Sequence, residues 1–278
     1  MNVLHTTLQN ALEQIQGVHP LLHCISNIVT ANDCANLALA IGASPIMAQE
    51  PQEMSQIATL AKAVILNTGT PDEAKFQAAS IAGKTANRLH IPVILDPVGI
   101  GASTWRLNHI HDLLSLVHPD ILRINLGEAR ALLGQTGTEH GVDSLESFRR
   151  TETDFCAREL ANALHTVVLL SGEEDLVTDG IRLKRISGGS PLTRSVTGAG
   201  CMLSVLCGAF ASIETTFLEA TPESATSQPD YYSSACLAAH FWKLCAETAA
   251  QTASTPGSFH VGLFDAAYKL SIFNEKGI

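Results

Sequence analysis

Short, continuous apolar runs alternate along the chain with longer stretches whose apolar residues recur at helical spacing. Four runs carry the clearest strand signal: AVILNTG (63–69), IPVILDPVG (91–99), DILRIN (120–125) and HTVVLLSG (165–172). None alternates apolar with polar residues. Such runs are expected of strands buried on both faces, as in a parallel sheet between two helix layers. Between them, PDEAKFQAASIAGKTANRLH (71–90) and SLESFRRTETDFCARELANALH (144–165) have helical periodicity. The strand–helix–strand rhythm predicts βαβ units and an α/β fold with helices on both faces. After Gly172 the rhythm changes. EDLVTDGIRLKRISGG sets an Asp-Gly pair at 179–180 between two β-type runs, which predicts a hairpin. Residues 212–232 are polar and contain Pro and Ser, and read as a surface connection within one domain spanning 1–278.

Composition narrows the class. The 278 residues are 46% hydrophobic and 16% charged, which indicates a well-filled core. A formal net charge of −10 argues against a nucleic-acid or anionic-membrane partner, so any phosphate compound must be held by a local device. The first twenty residues carry no basic segment followed by an apolar core, so no signal peptide is expected. The longest apolar run, Cys201 to Ile213, falls short of the roughly 20 residues needed to cross a bilayer. Seven scattered cysteines without a CxxC pair suggest reduced thiols and a cytoplasmic location, not a disulfide framework or a zinc site. The His109–His111 pair lacks companion ligands.

Ligands of open α/β sheets bind beyond the carboxyl ends of the strands. Here those ends carry Thr68-Gly69, Asp96-Pro97, Asn125 to Glu128, Ser171-Gly172 and Thr197 to Cys201. Any one of these could simply end a strand; five together predict a site. The most informative is SVTGAGCMLSVLCGAF (195–210), a Gly-rich turn running into a helix that is expected to open at Cys201. Gly198 and Gly200 permit close approach of the main chain to a ligand. The unpaired N–H groups and dipole of a helix start favour an anion such as a phosphoryl group. No Gly-Lys-Ser/Thr follows, so this is not a Walker A loop, and GIGAST (99–104) lacks the third glycine of a dinucleotide fingerprint. The bland reading of the TGAGC turn is a tight connection that packs a helix on a sheet.

Seven segments, in order, resemble the hydroxyethylthiazole kinase family, thiamin-salvage enzymes of the ribokinase-like superfamily. They are HCISNIVTANDCANLALAIGASPIMA (23–48), LDPVGIGASTWR (95–106), RINLGEARAL (123–132), GVDS (141–144), SGEEDLVTDG (171–180), VTGAGCMLS (196–204) and GSFHVGLFDAAY (257–268). The resemblance implies a ribokinase-like three-layer α/β/α fold around a mostly parallel sheet. It implies ATP- and Mg2+-dependent phosphorylation of the hydroxyl of 4-methyl-5-(2-hydroxyethyl)thiazole, in a cytoplasmic homotrimer with sites between subunits. By the same resemblance, Gly198, Ala199 and Gly200 form an anion hole, and Cys201 stands where related sugar kinases keep a catalytic aspartate. Arg123 and Ser171 contact ATP. Met47 and Gly198, with Asn27 beside them, contact the thiazole, and Glu128 with Asp96 organises magnesium. The sequence departs from the family at Ile124, where a small glycine is common, and at Ser171, where threonine is frequent.

Each of these residues also has a plainer role: Met47 in the core, Asn27 as a helix cap, Arg123 in a surface ion pair, Glu128 as first-turn decoration. Cys24, Cys34, Cys207, Cys236 and Cys245 read as small buried hydrophobes. A thiol at a helix N-terminus has a lowered pKa, so Cys201 is expected to be partly thiolate and a modest base. Two rivals remain open from the sequence. One is another ribokinase-like enzyme, such as a hydroxymethylpyrimidine kinase or a nicotinamide-nucleotide-hydrate dehydratase, both expected to carry aspartate in place of Cys201. The other is a binding protein that keeps the fold without turnover.

Overall fold

The computed structural model describes residues 3–135, 145–213 and 229–272. Its strands are β1 (Leu21–Ile25), β2 (Ser44–Ile46), β3 (Ala63–Asn67), β4 (Val93–Asp96), β5 (Ile121–Asn125), β6 (Val167–Ser171), β7 (Asp175–Thr178) and β8 (Leu183–Ile186). They form one sheet in the order β2-β1-β3-β4-β5-β6-β7-β8. The first six are parallel to one another; β7 and β8 run antiparallel and close the sheet as the predicted hairpin. The four apolar runs became β3 to β6. Strands β1 and β2 lie inside the N-terminal motif, and β2 is a three-residue edge strand, too short to show a period.

The helices are α1 (Val3–Val18), α2 (Ala31–Ala40), α3 (Met54–Leu60), α4 (Glu73–Arg88), α5 (Thr104–Leu116), α6 (Leu126–Leu132), α7 (Leu145–Leu164), α8 (Ala199–Ala211), α9 (Tyr231–Ala250) and α10 (Pro256–Ile272). One layer, α1, α2 and α8 to α10, packs on strand residues Cys24, Ile65, Ile94 and Leu169. The other, α3 to α7, packs on Leu66, Leu95, Leu122 and Leu170. Alternate residues of each strand therefore enter opposite cores, which is why the strands read as unbroken apolar runs. This is the expected ribokinase-like three-layer arrangement. Ile124 is fully buried in the α3–α7 core, so its bulk does not face the layer that holds α8.

Two expectations change. Helix α8 begins at Ala199, not at Cys201, because Gly198 adopts φ +81° and already serves as its N-cap. Cys201 is then the third helical residue and is only 7% exposed. Of the polar stretch 212–232, the ends are placed: Ser212 follows α8 and Tyr231 opens α9. Residues 214–228, and the GVDS segment, lie outside the described residues.

Candidate active site

Parallel register brings the strand ends side by side, with Asn67 opposite Asp96 and Asn125 opposite Ser171. Asp96 is fully buried and gathers three donors. Asn67 Nδ2 lies 2.8 Å and Ser204 Oγ 2.8 Å from its Oδ2, and Arg123 Nη1 donates to its Oδ1 at 3.1 Å. Arg123 Nη2 then reaches Ser171 Oγ at 2.6 Å. A buried carboxylate is tolerable only when so partnered, and here the partnering fixes the guanidinium beneath α8. Arg123 Nε is buried without a hydrogen-bond partner among the described residues.

The first turn of α8 sits directly on this group. A Cβ at Gly200 would lie 2.3–2.5 Å from the Arg123 guanidinium atoms, so only glycine allows the helix to come this close. A Cβ at Gly198 would lie 2.5 Å from Thr30 Cγ2, besides requiring a left-handed conformation that L residues rarely adopt. Among the described residues, no side chain caps α8. Its first residues, Ala199 and Gly200, are half-exposed, and a helix start of this kind suits an anion, with the helix dipole reinforcing it. On the β5–β6 side of this turn opens a cleft of about 440 Å³, whose lining includes Arg123, Ser171, Ala199 and Gly200.

The remaining expected residues do not line that cleft. Asn27 follows β1, its Oδ1 accepting from Val29 N at 2.8 Å in a local turn. The N-cap of α2 is Thr30, so Asn27 is not the cap. Met47 follows β2, half-buried against the core that contains α8. Lys75, buried on α4, ties the β1 and β3 exits together by donating to Ser26 O at 2.9 Å and Gly69 O at 2.8 Å. The α8 turn therefore touches the β1 exit through Gly198 and Thr30, and the cleft through Gly200 and Arg123.

Cys201 departs from expectation. Burial pushes its pKa up and nearby Asp96 adds to this, while Thr30, Asn67 and Arg123 offset only part of the shift. Desolvation dominates, so the thiol is harder to ionise than a free one and a poorer base than its helix position suggested. All seven cysteines are buried and free, as small hydrophobes would be.

Glu128 forms a full capping box with Asn125 at the start of α6, and its Oε1 also accepts from Gly99 N at 2.8 Å. Burial raises its pKa, and Asp96 contributes in the same direction. Each Glu128 oxygen accepts one hydrogen bond and keeps acceptor capacity, as does Asp96 Oδ1, whereas Asp96 Oδ2 already accepts two; a cation would relieve the charge that burial penalises. A hard oxygen-seeking ion such as Mg2+, which needs one or two carboxylates plus substrate phosphates, suits this pair.

Sequence reasoning missed Asn67, Ser204, Lys75 and Lys243. Asn67 ends its strand one position before the inspected Thr68, and Ser204 lies one turn along α8 from Gly200. Lys243 was visible only as a lone charge among apolar neighbours, and Lys75 as one charge of a polar helix start. Lys243 donates to Gly172 O and Glu173 O at 3.1 and 2.9 Å and pairs with Asp175 at 3.3 Å, bracing the β6–β7 turn of the cleft.

Comparison with known proteins bears on this geometry. A profile of the hydroxyethylthiazole kinase family matches residues 12–273. A hydroxyethylthiazole kinase of Clostridium botulinum is 37% identical over 272 residues, covering 96% of this chain and 92% of that protein. The solved structure of a hydroxyethylthiazole kinase protein from Pyrococcus horikoshii superposes with a TM-score of 0.82 at 34% identity, covering 95% of this chain and 93% of that one. A ribokinase-like superfamily protein from Enterococcus faecalis shares the fold alone, with a TM-score of 0.58 at 12% identity over 96% of this chain and 82% of that one. With the glycine turn of α8 seated on the Arg123–Asp96 group and the profile spanning nearly the whole sequence, the chain belongs to the hydroxyethylthiazole kinase family.

Proposed function

We propose that the protein transfers the γ-phosphoryl group of ATP to the primary hydroxyl of 4-methyl-5-(2-hydroxyethyl)thiazole, in thiamin salvage. The observation that carries this reading is the uncapped first turn of α8, set between the cleft at Arg123 and Ser171 and the β1 exit at Thr30. The alcohol oxygen bonds to the γ-phosphorus as the bond to the ADP bridging oxygen breaks. Such a transfer passes through a loose transition state, so positioning and charge stabilisation supply most of the rate. The N–H groups of Ala199, Gly200 and Cys201 receive the negative charge of the phosphoryl oxygens. Arg123 lines the cleft, and Ser171 beside it keeps the hydroxyl expected of an ATP contact. Met47, Asn27 and Gly198 border the thiazole.

Cys201 orients the hydroxyl as a neutral thiol. The alcohol proton leaves late, to phosphate or water, when bond cleavage is advanced. Glu128, with Asp96, would hold Mg2+, which neutralises phosphate charge when bound. We also infer a homotrimer with sites between subunits. Support comes from Ile28 and Val29, beside Asn27, which are 77% and 60% exposed and suit burial by another copy. A cytoplasmic location agrees with seven free thiols.

The test is ADP release from Mg-ATP with and without the thiazole alcohol, with hydroxymethylpyrimidine as the competing alcohol. Thiazole-dependent ADP and a phosphorylated thiazole by mass spectrometry are expected. ADP released only with the pyrimidine would move the substrate, and ATP binding without turnover would favour a non-catalytic binder.

A further inference from the structure

We propose that Arg194 is a phosphate-binding residue of the nucleotide cleft, held in reserve by Glu173 until ATP enters. The proposal rests on reading the cleft as the ATP site. Arg123, Lys243 and Arg194 are the cations of its lining. Two already hold protein partners. Arg123 gives Nη1 to Asp96 and Nη2 to Ser171. The three donors of the Lys243 ammonium go to Gly172 O, Glu173 O and Asp175 Oδ1. Among the described residues Arg194 instead pairs only with Glu173, at 3.0 Å, with the two side chains 73% and 89% exposed. An exposed pair of this kind holds little free energy, and its partners exchange readily. A triphosphate presents several charged oxygens, which bind a guanidinium in bidentate fashion more strongly than one solvated carboxylate does.

Position supports the exchange. Arg194 lies on the short 3₁₀ turn Pro191–Ser195, immediately before the Thr197–Gly200 turn. Glu173 lies on the facing β6–β7 turn, whose main chain is fixed by Lys243. Arg194 can therefore leave the carboxylate by side-chain rotation, with neither turn displaced. In a chain of net charge −10, Glu173 also shields this cation from other acids until a stronger anion arrives.

The experiment is calorimetric titration of Mg-ATP into wild type, Arg194→Ala, Glu173→Ala and the double variant, with steady-state KM values for ATP and thiazole. Both side chains are exposed, so the variants should fold. Arg194→Ala should weaken Mg-ATP binding roughly tenfold, the worth of a charge-assisted contact, with the thiazole KM unchanged. Glu173→Ala should tighten it by about two- to threefold, as expected for removal of a competing surface charge. In the Arg194→Ala background that gain should vanish, and Arg194→Lys should recover part of the affinity. An unchanged Kd in Arg194→Ala would overturn the proposal and leave the kinase reading standing. A Glu173→Ala gain that survives without Arg194 would also overturn it, revealing a general field effect. Wild-type protein that binds no Mg-ATP would defeat both readings.

Discussion

Replacing Cys201 with alanine separates a base from an orienting group. A thiol at its ordinary value, about 8.5, is roughly 3% thiolate at pH 7. Burial and Asp96 raise Cys201 above its ordinary value, so the ionised fraction is smaller still. Removing a general base costs about 10²–10⁴ in rate. Removing one neutral hydrogen-bonding group costs about 1 kcal/mol, or roughly fivefold. Cys201→Ala should therefore lower kcat by less than about tenfold. Its kcat–pH profile should parallel wild type, since no thiolate contributes to either. Cys201→Asp should retain or raise activity, because Thr30, Asn67 and the α8 N-terminus can serve a carboxylate in the same place. The assay is kcat at saturating Mg-ATP and thiazole across neutral to alkaline pH, with Tm and Mg-ATP Kd measured on the same samples. A loss of about a thousandfold in the alanine variant, with Tm and Kd preserved, would refute the neutral thiol. So would a rising limb near neutral pH that disappears with the sulfur.

Three further outcomes follow from the same geometry. Gly200→Ala drives a methyl group into the Arg123 guanidinium, and should cost about 1–3 kcal/mol of stability together with ATP affinity; wild-type Tm and KM for ATP would show that the close approach is not constraining. Ser204→Ala removes the hydroxyl that donates to buried Asp96 Oδ2 at 2.8 Å. It should lower stability by about 1–3 kcal/mol in urea denaturation, and an unchanged midpoint would show that Asp96 is satisfied without it. Cys24 is fully buried and its thiol is pushed up to about 12. Because the folded value lies above the unfolded one, its contribution is intact below about pH 8.5 and is lost as pH rises toward 12. The stability difference between wild type and Cys24→Ala should accordingly shrink between neutral pH and about pH 10–11; a constant difference would contradict it.

The layered α/β class was legible because the pattern of burial writes itself directly into the chain. Strands covered on both faces have no polar alternation, so AVILN and VVLLS announced a parallel sheet before any contact was known. The Asp-Gly pair at 179–180 announced the hairpin, and the glycines of 198–200 announced a helix start suited to an anion, since these are local backbone requirements. Ser171 and the α8 turn were selected by the strand-end rule and Arg123 by the family resemblance, and the three meet at one cleft. Strand order and side-chain charge states were not legible, because both depend on residues distant in sequence. Asp96 is held by Asn67, Arg123 and Ser204, and the last lies 108 positions away. The thiol of Cys201 could be read as partly thiolate from its helix position alone; its raised pKa comes from burial against strands it does not adjoin in the chain. The sequence by itself determined the fold class, the family and the chemical groups at the strand ends. Only the tertiary structure decided which of those groups are spent holding one another and which remain open to a ligand.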